Sequence, residues 1–96
     1  MSIAYEHARD AIAALTGEGT LVDRLALSHT FLARISTDRD LPEVLRPRFD
    51  ELVADIEYGA DSVAGAIALM NETDRRHLAD RVIALFADVA RAFPKD

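Results

Sequence analysis

Between Phe49 and Ala60 the apolar residues Phe49, Leu52, Val53, Ile56 and Ala60 recur at i, i+3, i+4, i+7 and i+11, flanked by Asp50, Glu51, Asp55 and Glu57. This spacing follows the 3.6-residue period of an α-helix and sets one apolar stripe against a charged face. A similar period appears in the other segments between Gly17, Gly19, Pro42, Pro47 and Gly59. No short run alternates β-branched or aromatic residues with polar ones between turn signals, so the strand signature is missing. The expected fold is all-α: a compact antiparallel helical bundle of four main helices, plus a short or kinked segment near Pro42 to Pro47, in a single helical domain over residues 1–96.

Local signals set the boundaries. The first helix is expected from about Ile3 to Leu15, with Ser2 as its cap, Ala4, Ala8, Ala11, Ile12 and Leu15 on one side, and Gly17 suited to a left-handed end. Thr20-Leu21-Val22-Asp23 has capping-box spacing and starts a second helix that should run to about Ile35 or Ser36. Thr37 to Leu41 reads as a connection, because Pro42 pushes Leu41 out of helical geometry. A short turn follows to Arg46, with a fresh start or kink at Pro47, where a mid-helix ring would cost about 3 kcal/mol. Asp61 or Ser62 caps a short, buried, tight helix through about Met70. Asn71 opens the last helix, about Glu72 to Phe93, with Leu78, Val82, Leu85, Phe86, Val89 and Phe93 in one seam. Pro94 lies just beyond it.

Composition narrows the functional classes. Seventeen acids against eleven bases give a net charge of −6, which repels a nucleic-acid backbone unless a local basic patch intervenes. The chain contains no cysteine, which removes disulfides, thiolate metal sites and cysteine nucleophiles and suits a reducing compartment. The first residues carry no basic-then-apolar leader, and the longest apolar run, Val63 to Met70, is far below the roughly 20 residues that span a bilayer. The expectation is a soluble cytoplasmic protein without a membrane or nucleic-acid partner. Seventeen of the apolar residues are alanine, so a 96-residue chain builds only a modest core, and a partner subunit would help it.

Chemistry-bearing motifs are sparse. Gly17-Glu18-Gly19 lacks the Lys and Ser/Thr of a phosphate loop. Ser28 and His29 are neighbours that project about 100° apart on a helix, which is not a nucleophile–base arrangement. Asp74 and His77 have the Glu-x-x-His spacing of a di-iron bundle, but the required second pair is missing. His77 is expected in water and His7 at the boundary of its stripe. His29 is the candidate polar site: it falls on the apolar side of the second helix, where it needs a carbonyl or carboxylate partner from another helix. No catalytic residue, cofactor or metal ligand is assigned.

The second helix carries more apolar residues than a one-sided surface helix needs. Leu27 and Phe31 lie outside the line of Leu21, Leu25 and Leu32, and Ile83 and Phe86 broaden the last helix in the same way. Helices apolar on two sides are central in a bundle or lie in an interface. Leu27, Phe31, Ile83, Phe86 and the exposed Tyr58 are therefore the candidate interface. The expected function is a non-enzymatic protein–protein interaction or self-associating module, with a homodimer or another protein as partner. The alternative is a small-molecule or metal-binding bundle using His29 with carboxylates or arginines. A helix-turn-helix regulator is the third reading, which the charge opposes.

Overall fold

The computed structural model describes residues 2–93, so Pro94 and Lys95 lie outside the described residues. Within them the chain forms α1 (Ile3–Leu15), α2 (Leu21–Leu32), α3 (Thr37–Asp40), a 3-10 turn (Glu43–Leu45), α4 (Arg46–Glu57), α5 (Val63–Leu69) and α6 (Glu72–Ala92), with no strand. The caps match the sequence signals. Ser2, Thr20, Ser62 and Asn71 each accept a backbone N–H with a side-chain oxygen, at Tyr5, Asp23, Gly65 and Asp74.

Three pairs of contacts give the helix directions. Ser28 Oγ donates to the Ala11 carbonyl (3.0 Å) and Arg24 Nη1 to that of Leu15 (2.8 Å), so α1 and α2 step past each other in opposite senses. Thr37 bonds Asp50 and His29 bonds Glu57, which makes α4 antiparallel to the path from α2 into α3. Asp55 meets Arg81, and Arg48 meets Asp88, so α6 runs against α4. Four main helices thus form an up-and-down antiparallel bundle, and α5 bridges α2 and α4.

One continuous core joins these elements. Leu25, Leu32, Leu52, Ile56, Ile67, Val82, Leu85 and Val89 are all essentially inaccessible to solvent. Each contributes about 1.5–3 kcal/mol of burial free energy. The α1 side of the core is thin, because Ala4, Ala8 and Ala11 supply it. Their small side chains bring α1 close enough for the buried Ser28 hydroxyl to find the Ala11 carbonyl, which satisfies a polar group that would otherwise be costly.

Several local expectations need correction. α1 ends on Thr16, whose hydroxyl donates to the carbonyls of Ile12 and Ala13; it is Gly19, at φ +106°, that takes the conformation assigned from sequence to Gly17. The second helix stops at Leu32 rather than Ile35, and Thr37 to Asp40 forms a helical turn instead of a plain connection. The turn is held by Asp40, whose carboxylate accepts the Ser36 N–H at 2.7 Å. Of the two expectations for Pro47 the fresh start holds and the kink does not: α4 begins at Arg46 after the 3-10 turn, and Pro47 occupies the second helical position, where the missing N–H has no intrahelical partner to lose. α5 is buried on one face only: Ala66 and Ile67 are enclosed, but Leu69 is 76% exposed.

Arginines close three of the connections. Arg24 reaches the carbonyls of Leu15 and Gly19, Arg46 those of Leu41 and Asp38, and Arg75 that of Met70 through two nitrogens. Each comes from the first turn of the helix that follows and satisfies carbonyls left without a partner in the segment before it. The guanidinium fork makes two such bonds at once, which an ammonium on one stem does not match.

Candidate functional site

His29 is the buried polar side chain that needs explaining. α2 places it on the core side, with 11% of its side chain exposed, and its Nε2 lies 2.6 Å from Glu57 Oε2 at the end of α4. An ionised carboxylate only accepts, so the imidazole donates. The partner is thus a carboxylate of another helix, as the sequence position requires. Glu57 keeps half its side chain in solvent. Among the described residues no three His, Cys, Asp or Glu side chains gather in a way that could hold a metal ion. The pair pins α2 to α4 where those helices otherwise touch little.

The other histidines divide between surface and edge. His77 is exposed and lines an open cleft of about 550 Å³ between α4 and α6, together with Arg48, Glu51, Leu52, Asp55, Arg81 and Ala84. Two ion pairs cross the two helices here: Arg81 to Asp55 at 2.8 Å, and Arg48 to Asp88. Leu52 is the one buried residue in the lining of the cleft, and the exposed Ala84 lies at its edge. His7 is half-buried, and its Nδ1 is enclosed without a hydrogen-bond partner among the described residues.

All ten arginines have internal partners. Besides the three that close connections, Arg9, Arg48, Arg76, Arg81 and Arg91 form ion pairs, Arg39 donates to Ser36 Oγ, and Arg34 lies 5.0 Å above the Phe31 ring. The arginines are therefore dispersed among local tasks: Arg46 and Arg75 turn to carbonyls, and Arg48 and Arg81 cross between helices.

The five candidate interface residues differ in exposure. Leu27 is 51% and Ile83 49% exposed, Tyr58 is 82% exposed beyond the end of α4, and Phe31 and Phe86 are partly buried against the core. Phe86 stacks at a tilt of 38° on Tyr5 of α1, with ring centroids 5.7 Å apart. Leu27 and Ile83 lie on α2 and α6, two helices that touch each other little and that both pack on α1. Ile3, Val44 and Leu69 are exposed apolar residues that the sequence reading passed over. For Leu69 the signal was available, since it lies about 200° around the helix from the buried Ile67.

No family model, curated protein or solved structure matches this chain. Among the described residues no helix is long and apolar enough to cross a membrane.

Proposed function

We propose that this chain is a non-catalytic helical interaction module that works in the cytoplasm by joining exposed apolar surface to another polypeptide, in its simplest form a second copy of itself. The observation that carries this reading is that six large apolar side chains are exposed among the described residues, with Ile83 half exposed in the middle of the longest helix. Internal satisfaction of the arginines and of His29 supports it, because it leaves the polar side chains engaged in holding the fold rather than converging on a ligand. A cysteine-free chain suits a reducing compartment.

Light scattering across a wide concentration range tests the reading. The expected result is a mass that rises from one chain toward two as concentration increases. A mass fixed at one chain at every concentration contradicts self-association.

A further inference from the structure

The outward face of α6 is laid out so that it complements itself. Asp80, Ile83, Ala84, Ala87 and Arg91 lie within about 100° of one another around the helix, on the side away from the buried Leu78, Val82, Leu85 and Val89. Asp80, Ile83, Ala84 and Arg91 are exposed and Ala87 is half-exposed, with Ala84 at the edge of the strip that borders the cleft towards α4.

Its charges are out of balance in opposite senses at the two ends. Asp88 alone serves two guanidinium groups, those of Arg48 and Arg91, so Arg91 is left with surplus positive charge and a 73% exposed side chain. Asp80 has no ion-pair partner among the described residues: Arg76 is held by Glu72 and Arg81 by Asp55. The two ends lie about 16 Å apart at 1.5 Å per residue.

We propose, building on the self-association reading, that two copies pair through this face as an antiparallel two-fold dimer, α6 against α6. That orientation sets each Asp80 over Arg91 of the other copy, and both pairs form at once because the interface is isologous. The centre of the contact is then Ala84 and Ala87, small enough for close approach, and each Ile83 sits against Ala87 and Ala90 of the other helix. A parallel arrangement would instead stack like charges.

The choice of a second copy as occupant rests on this charge pattern. Taken whole, each chain carries a net charge of −6 and repels its twin. On the α6 face Glu72, Arg76, Asp80 and Arg91 balance, so the repulsion is locally absent. By contrast α4 exposes Asp50, Glu51, Asp55 and Glu57 with Arg48, a face that would repel its own copy. One helix seam sits at or below the low end of the ~1,200–2,000 Å² typical of stable interfaces, so the dimer dissociates on dilution.

Sedimentation equilibrium on the full chain, with circular dichroism to verify the fold, tests this. Asp80→Arg and Arg91→Asp are each expected to weaken the dimer about tenfold, because the substitution replaces two attractions with two repulsions. The double variant Asp80→Arg/Arg91→Asp is expected to return to within about threefold of the original affinity. Ile83→Asp, at a half-exposed position that the fold does not need, is expected to weaken it further than either charge reversal. A dimeric parent chain whose affinity survives all three single changes, or whose double variant shows no rescue, overturns the α6 assignment and leaves self-association through another surface. A parent chain that is monomeric throughout overturns both.

Discussion

α4 and α6 are packed against each other and contribute alike to the core, yet their outward faces are opposites. Inward, Phe49, Leu52 and Ile56 meet Leu78, Val82, Leu85 and Val89, all nearly inaccessible. Outward, α4 shows water four acids, one arginine and Ala54, whereas α6 shows a charge-balanced strip around Ile83, Ala84 and Ala87. The same helical period produces both. The inner stripe specifies the fold, and the composition of the opposite face separates α4 from α6, the helix proposed to meet a second molecule. Apolar periodicity therefore locates cores well and interfaces poorly, since an interface differs by one or two residues on a face that would otherwise be solvated.

The largest effect tests the inner equivalence. Leu52→Ala on α4 and Leu85→Ala on α6 should each cost about 2–5 kcal/mol in urea unfolding, through lost burial and a residual cavity. A loss below about 1 kcal/mol for either would mean the two helices do not share one core. Next in size is Glu57→Ala, which strands the buried His29 donor and should cost about 1–3 kcal/mol; Glu51→Ala, earlier on the same helix and exposed at the edge of the cleft, should leave unfolding nearly unchanged.

The outer contrast gives smaller numbers but a sharper sign. Ile83→Asp should leave the unfolding free energy of the monomer within about 0.5 kcal/mol while weakening association at least tenfold, equivalent to about 1.4 kcal/mol. Ala54→Asp, the matching insertion on α4, should change neither. Smallest of all, a double-mutant cycle on Asp55 and Arg81, which cross between the helices at a partly solvated site, should yield about 0.2–1 kcal/mol of coupling. A coupling near 3 kcal/mol would mean that the cleft between α4 and α6 is far drier than its 550 Å³ opening implies.

Much of the bundle was legible because its determinants are local. Thr20, Ser62 and Asn71 cap helices through oxygens that reach an N–H three residues on, and Pro47 starts a helix for a reason internal to its own ring. His29 was legible as a polar group in need of a partner, but the identity of that partner was not, because Glu57 is 28 residues away and arrives only through tertiary packing. The arginine bonds across connections were hidden for the same reason. So was the cleft, since its lining comes together only once α4 and α6 lie side by side. Leu27 and Ile83 looked alike in sequence as surplus apolar residues. Folding separates them, because their helices touch each other little and the charges around them differ.

The most direct measurement of the central claim is a dipolar spin-label distance between copies, which the absence of native cysteine makes possible with a single introduced thiol. Ala87→Cys, labelled in the concentrated protein, should place the two labels within roughly 20 Å of each other, because packed helices lie about 8–10 Å apart and this site is near the proposed two-fold axis. The same label at Ala54→Cys on α4 should report a far longer separation. A short distance at Ala54 with none at Ala87, in a sample that is dimeric by mass, would contradict the account.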